Sequence, residues 1–165
     1  MSQHLNETVF IGLGSNLEPR EKYIEQAIHL IAEKHRILDI AKTIETEPFG
    51  FKSDTMFLNT AMVIQTTFSP LELLTHLKDI EKTLGRTEKS IQKNYTSRTI
   101  DLDLLYFGVH ILITPDLTLP HPEIQNRLFV LEPLFELAPD FIDPLRLKTI
   151  SELRSSLLEK TDLNH

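Results

Sequence analysis

Apolar and polar positions change period several times along the chain, and each change predicts an element. Thr8–Leu13 is an apolar, β-prone run that ends in Gly12-Leu-Gly14-Ser-Asn16. It reads as a strand entering a tight turn, where glycine tolerates positive φ and Ser15 or Asn16 caps the next element. Pro19 suits a first helical turn. Ile24, Ala27, Ile28 and Ile31 then recur at helical spacing, so a helix is expected to about Lys34. Ile37–Thr46 comes next as a strand with irregular alternation, and Glu47–Thr55, with Pro48, Gly50 and Asp54, as a loop. In the next strand, Phe57–Thr67, Phe57, Asn59, Ala61 and Val63 share one face, and Leu58, Thr60, Met62 and Ile64 the other. Ser69-Pro70-Leu71-Glu72 is a capping box with proline at the first helical position. Leu73, Leu77, Ile80 and Leu84 form that helix's apolar stripe, and Gly85 is expected to end it in a left-handed cap.

Thr87–Ser97 is polar, with the single aromatic Tyr95, and is expected to be mobile. Arg98–Gly108 then reads as a strand, with six apolar residues between Ile100 and Phe107. The order to this point is β-α-β-β-α-β. It predicts an α+β fold with a ferredoxin-like βαββαβ core and an antiparallel sheet. A C-terminal extended segment and helices complete the chain. Val109–Thr114 is extended, Glu123–Leu137 is a helical stretch that Pro133 bends or interrupts, and Thr149-x-x-Glu152 is a second capping box opening the last helix.

The strand Arg98–Gly108 carries two aspartates at an unusual place. Asp101 and Asp103 lie two apart, so a strand points both to one side, with Cα atoms roughly 6.5–7 Å apart, while Ile100, Leu102 and Leu104 face the other. Adjacent carboxylates near a core repel unless something positive lies between them. Divalent cations and arginines are the two candidates. Two Mg²⁺ ions about 3.5–4 Å apart would clamp a transferring phosphoryl group. The alternative is an edge strand whose acidic face is simply wet.

Composition narrows the choice. The 165 residues suit a single domain, 1–165, and hydrophobic and charged fractions of 41% and 25% are ordinary for a globular chain. No apolar run is long enough for a membrane span, and residues 1–8 do not read as a secretory signal. The absence of cysteine excludes disulfides and thiolate metal sites and fits a cytoplasmic protein. A net charge of −7 argues against a nucleic-acid backbone as the main partner. It is compatible with a small anionic ligand held by a few arginines and a metal. Arg86, Arg98, Arg127 and Arg20 are the arginines to weigh, since their forks match phosphate oxygens. Arg98 could equally pair with Asp101 or Asp103. His121 stands between Pro120 and Pro122 in a stiff backbone. Phe57-Leu-Asn59 and Arg127-Leu-Phe129 each place a ring two positions from a polar group. That pairing suits a flat heterocycle stacked between rings and read at its edge, or plain core packing.

Taken in order, these segments resemble the 6-hydroxymethyl-7,8-dihydropterin pyrophosphokinase family over nearly the whole chain. The likeness rests on Gly12-Leu-Gly-Ser-Asn16, Thr46-x-Pro48-x-Gly50, Phe57-Leu-Asn59 and Glu81-x-x-x-Gly85-Arg86. It continues in Arg98-Thr-Ile-Asp-Leu-Asp103, Leu119-Pro-His-Pro122 and Asn126-Arg127-x-Phe129. The resemblance implies transfer of pyrophosphate from ATP to the pterin hydroxymethyl group, giving AMP, in folate biosynthesis. It implies that Asp101 and Asp103 hold two Mg²⁺ ions and that Arg86 and Arg98 neutralise the transferring phosphates. It further implies that Glu81, Leu104, Thr118, His121 and Arg127 line the ATP site. Thr46, Glu47, Phe49, Gly50, Phe57, Asn59 and Phe129 would bind the pterin. Small-molecule partners, a monomer, and no nucleic acid or membrane are expected. The chain departs from the family's Trp-Gly-Pro-Arg run, reading Tyr95-Thr-Ser-Arg98, and carries Glu88 and Asp116 where basic residues are common. A non-catalytic binding module and a Mg²⁺-dependent nuclease are the competing classes.

Overall fold

The computed structural model describes residues 6–46, 56–85 and 99–163. Its elements are β1 (Glu7–Ser15), α1 (Arg20–Ala32), β2 (Arg36–Ile40), β3 (Ile44–Thr46), β4 (Phe57–Thr66) and α2 (Pro70–Gly85). After these come β5 (Asp101–Phe107), β6 (Leu112–Ile113), β7 (Thr118–Leu119), a 3₁₀ turn (Ile124–Asn126), α3 (Leu128–Leu137) and α4 (Ile150–Leu163). The main sheet is antiparallel in the order β2, β4, β1, β5, with β3 also paired to β4. β6 and β7 form a separate two-stranded ribbon. Among the described residues no helix is long and apolar enough to cross a membrane.

Alternation along the strands divides the interior in two. Val9, Ile11 and Leu13 of β1, Leu58, Met62 and Ile64 of β4, and Leu102 and Leu104 of β5 pack on Ile24, Ala27 and Ile31 of α1 and Leu73, Leu77 and Ile80 of α2. Phe10, Val63, Leu105 and Tyr106 face the opposite way, onto Leu131 and Leu134 of α3 and Ile150 and Leu153 of α4. Each large side chain buried this way contributes about 1.5–3 kcal/mol, which anchors the sheet from both sides.

Both capping boxes form. The Ser69 N–H donates to Glu72 Oε1 at 2.8 Å and the Glu72 N–H to Ser69 Oγ at 3.2 Å. The Thr149 N–H donates to Glu152 Oε1 at 2.8 Å and the Glu152 N–H to Thr149 Oγ1 at 3.1 Å.

Several boundaries differ from the periodicity. The strand expected over Ile37–Thr46 is broken in two, because the chain leaves the ladder at Ala41, whose N–H donates to Ala61 O at 2.9 Å and whose carbonyl accepts from Thr60 Oγ1 at 2.7 Å. The helical stretch from Glu123 is interrupted at Arg127, which is extended at φ −126°, ψ 105°; Pro133 instead lies inside α3. Gly12 and Gly14 are strand residues and Gly85 is the last helical residue; the described glycine with positive φ is Gly108, at 54°.

Candidate active site

β5 carries the acidic pair as alternation requires. Asp101 and Asp103 are half-buried on the face turned away from α1 and α2, while Leu102 and Leu104 are buried beneath those helices. A bulge then breaks the alternation. Phe10 pairs with Tyr106 but Ile11 with Leu104, so Leu105 is an extra residue and both it and Tyr106 join the α3–α4 core.

The strand register brings the two sets of candidate residues together. Gly14 is the partner of both Asn59 on β4 and Asp101 on β5, and Gly12 is the partner of both Ala61 and Asp103. Directly opposed residues point to the same face, so Asn59, Gly14 and Asp101 form one row and Ala61, Gly12 and Asp103 the next. Two strand spacings put Asn59 and Asp101 about 10 Å apart. The strand between them presents no side chain at either row. A Cβ on Gly14 would stand 2.7 Å from Asn59 Oδ1. Gly14 is therefore needed for space beside Asn59, a requirement that strand periodicity did not reveal. The Asn59 amide is buried and donates from Nδ2 to Thr46 Oγ1 at 2.6 Å, fixing its orientation. Phe57, opposite Thr46 in the ladder, is half-buried.

Electrostatics ties further groups to the acidic pair. Glu81 of α2 accepts the Leu102 N–H at Oε2, 2.8 Å away. Burial pushes its carboxyl up to about 6; the Leu102 hydrogen bond opposes this and the charges of Asp101 and Asp103 add to it. His121 is held below its usual value by burial first, with Asp103 raising it and Arg127 lowering it, so these three share one neighbourhood. Its Nδ1 accepts the Glu123 N–H at 3.1 Å. The neutral ring is therefore protonated at Nε2 and offers a donor there. The Arg127 guanidinium lies 5.8 Å from the centroid of the half-buried Phe129 ring, within cation–π range. Thr118 is half-buried in β7. The Leu104 side chain is in the core under α1 and α2, so its backbone is what it can offer this face.

Among the expected site residues, Arg86, Arg98, Glu47, Phe49 and Gly50 lie outside the described residues, as do Tyr95, the Glu47–Thr55 loop and the Thr87–Ser97 segment. The described residues on either side of those segments are held together. A Cβ on Gly85 would lie 3.2 Å from Thr99 Oγ1, so the end of α2 meets the approach to β5. Arg20 bridges the other pair: its Nη2 lies 2.7 Å from Glu45 Oε2, and its Nη1 donates to Met56 O at 2.7 Å. That bridging role of Arg20 has no signature in the sequence, since its partners are remote and one is a backbone carbonyl.

Comparison with known proteins places this arrangement in context. Residues 10–139 match the family model described as 7,8-dihydro-6-hydroxymethylpterin-pyrophosphokinase. The chain is 40% identical over 136 residues to the 2-amino-4-hydroxy-6-hydroxymethyldihydropteridine pyrophosphokinase of Bacillus subtilis, covering 81% of this chain and 79% of that one. It is 35% identical over 147 residues to the enzyme of the same name from Aquifex aeolicus, covering 89% and 90%. Its fold matches the Plasmodium falciparum HPPK-DHPS crystal structure with pterin and p-hydroxybenzoate at a TM-score of 0.79 and 14% identity, over 100% of this chain and 45% of that longer one.

Proposed function

The chain belongs to the 7,8-dihydro-6-hydroxymethylpterin-pyrophosphokinase family, and on that premise we propose how its residues divide the reaction. The activity is pyrophosphoryl transfer to hydroxymethyldihydropterin in folate biosynthesis, with ATP as co-substrate. In our reading the pterin hydroxymethyl oxygen attacks the β-phosphorus of ATP. The bond from that phosphorus to the oxygen bridging to the α-phosphate breaks, and AMP leaves. The central sheet, counted with β2 and β3 as one interrupted strand, is ferredoxin-like, a reading that its strand order supports.

One observation carries the proposal: the row Asn59–Gly14–Asp101 sets a fixed amide and a carboxylate about 10 Å apart on one face, with a bare strand between. Asn59 reads the pterin edge, and Phe57 and Phe129 stack on its rings. Thr46 holds Asn59 in the rotamer that does so, and Glu47, Phe49 and Gly50 complete the pterin side. The bare backbone of Gly12 and Gly14 lets the hydroxymethyl arm reach towards β5.

Asp101 and Asp103 would hold Mg²⁺, two ions in our reading. Their fit is chemical: paired hard oxygen donors on one face suit a cation that takes few protein ligands and completes its shell with water and phosphate oxygens. Among the described residues no cluster of three or more His, Cys, Asp or Glu is arranged to hold a metal by itself. When bound, Mg²⁺ supplies charge neutralisation and a template for the phosphates. His121 donates from Nε2 to the nucleotide, and Arg127 adds positive charge beside it. Glu81 holds the Leu102 N–H and so fixes the strand between the two aspartates. Thr118 and the Leu104 backbone border the nucleotide, while Arg86 and Arg98 neutralise the transferring group. No covalent nucleophile is needed, because positioning and charge stabilisation supply the catalysis.

The deciding experiment is AMP release from ATP and Mg²⁺, with and without 6-hydroxymethyl-7,8-dihydropterin. Pterin-dependent AMP is expected. ADP in its place would mean attack at the other phosphorus and would overturn the mechanism.

A further inference from the structure

Asp143, in the loop between α3 and α4, is completely buried. A buried carboxylate persists only where its oxygens are satisfied. Here Oδ2 accepts from Tyr106 Oη at 2.6 Å and Arg146 Nη1 at 2.7 Å, and Oδ1 accepts the N–H groups of Leu145 at 2.9 Å and Arg146 at 2.8 Å. The loop also closes on itself. The Asp143 N–H donates to Lys148 O and the Leu147 N–H to Asp143 O, both at 2.8 Å, while Leu147 takes a left-handed φ of 61°. A non-glycine residue in that region marks a conformation enforced by its surroundings.

This anchoring aims Arg146 at a second target. Its Nη2 lies 3.3 Å from Pro122 O and 3.5 Å from His121 O, the carbonyls on and just after the histidine. The His121 ring is held locally by the Glu123 N–H, which donates to its Nδ1 at 3.1 Å, but the Pro120-His121-Pro122 backbone is sparsely tied. Two prolines remove two of its three backbone donors, and the remaining His121 N–H donates to Leu105 O at 3.0 Å. His121 O also accepts the Ile124 N–H at 3.4 Å, a contact within the same turn. The strap is thus tied to β5 twice, directly at Leu105 and indirectly through Arg146, Asp143 and Tyr106. Both ties sit at the bulge after Asp103.

We propose that Arg146, held by Asp143 and Tyr106, is a positioning residue that sets the orientation of His121 over the acidic face of β5. The functional half of this inference rests on the place given above to His121 in the nucleotide site. The test uses Arg146→Gln and Arg146→Lys in the full chain. Glutamine removes the charge and the fork. Lysine keeps a charge for Asp143 but cannot span the carboxylate and both carbonyls.

Two readouts separate the parts. The imidazole NMR resonances of His121, assigned with His121→Gln, report position. Dissociation constants for ATP and for hydroxymethyldihydropterin report function. In Arg146→Gln the His121 resonances should shift or broaden and ATP should bind about tenfold more weakly, the loss of one charge-assisted contact. Pterin affinity should stay unchanged, lysine should fall between, and Arg146→Gln should add nothing in a His121→Gln background. Unmoved His121 resonances in folded Arg146→Gln would overturn the proposal, as would equal, additive losses for both ligands. A moved imidazole with ATP affinity unchanged in both Arg146→Gln and His121→Gln would uphold the positioning and overturn the nucleotide assignment of His121. Should Arg146→Gln fail to fold, Arg146→Lys and Tyr106→Phe carry the same two readouts.

Discussion

Replacing Gly14 by alanine tests the row that joins the two halves of the site. The added Cβ would lie 2.7 Å from Asn59 Oδ1 and 3.8 Å from Leu58 O. Contacts below about 3 Å are not sustained, so Asn59 must turn. Its side chain is only 6% exposed and donates to Thr46 Oγ1 at 2.6 Å. Turning breaks that bond, worth about 1 kcal/mol, and leaves a buried amide unpaired at about 1–3 kcal/mol. Alanine regains roughly 0.4–1 kcal/mol by restricting the unfolded chain. A net loss of about 1–4 kcal/mol in stability is expected, with pterin affinity falling about tenfold as the amide proposed to read the pterin edge is misdirected. ATP affinity should hold. Gly12→Ala is the matched control, because its Cβ would meet Leu105 Cδ1 at 3.4 Å, the end of a flexible side chain. Calorimetric binding of pterin and of ATP, with urea midpoints, reads all three quantities. Wild-type pterin affinity in Gly14→Ala would refute the reasoning. Equal damage in Gly12→Ala would show that backbone freedom, and not room for Asn59, is what both glycines provide.

Asp101→Asn and Asp103→Asn should each lower pterin-dependent AMP formation on the order of a hundredfold with unchanged circular dichroism; chelation of Mg²⁺ should do the same to the wild type, reversibly, and retained activity in either variant would remove that residue from the metal site. Ser69→Ala deletes the cap of α2 and should lower stability by about 1 kcal/mol in urea without altering kcat; an unmoved midpoint would mean that Glu72 or water replaces it. His35 gives a pH prediction: it is buried, with its Nε2 2.9 Å from His76 Nδ1. Burial, with His76 and Lys34 nearby, pushes it down to about 4 from 6.5. The unfolded chain then takes up a proton that the folded chain refuses, so stability is full above pH 6.5 and declines as pH falls towards 4. His35→Gln should flatten the urea midpoint over that window, and an unchanged slope would assign the decline to other groups.

Legibility in the sequence tracks the range of the interactions. Ser69/Glu72 and Thr149/Glu152 act within one helical turn, and both boxes formed. The facing of Asp101 and Asp103 against Leu102 and Leu104 depends on period two alone, and it holds as far as the bulge. The bulge itself was not legible, because Leu105 and Tyr106 are ordinary strand residues and their displacement is decided by register against Phe10 and Ile11. The role of Gly14 was misread for the same reason: its constraint is the Asn59 side chain on a neighbouring strand, not its own φ. Pro133, expected to bend or interrupt its helix, does not interrupt it: α3 continues through the buried proline, and the break falls at Arg127. The Tyr106–Asp143–Arg146 link spans 37 positions between its first two members and leaves no local pattern.

The acidic face explains why the fold uses a glycine strand at its centre. Glu81, Asp101 and Asp103 place three carboxylates around one strand: burial first pushes the Glu81 carboxyl up to about 6, the Leu102 hydrogen bond opposes this, and the charges of the two aspartates add to the rise. A side chain on Gly12 or Gly14 could bridge or screen those charges and would make the face self-sufficient. With none there, the balance must come from outside the rows: a cation, an arginine, or the positively charged surroundings of His121. The same bareness clears the path between Asn59 and Asp101. In the proposed reaction, acceptor and donor would then lie along one sheet at a separation set by strand spacing. On this reading the two glycines serve charge and reach together. A neutral side chain in the Gly14 row, as in Gly14→Ala, should therefore weaken pterin binding while leaving Mg²⁺ binding unchanged.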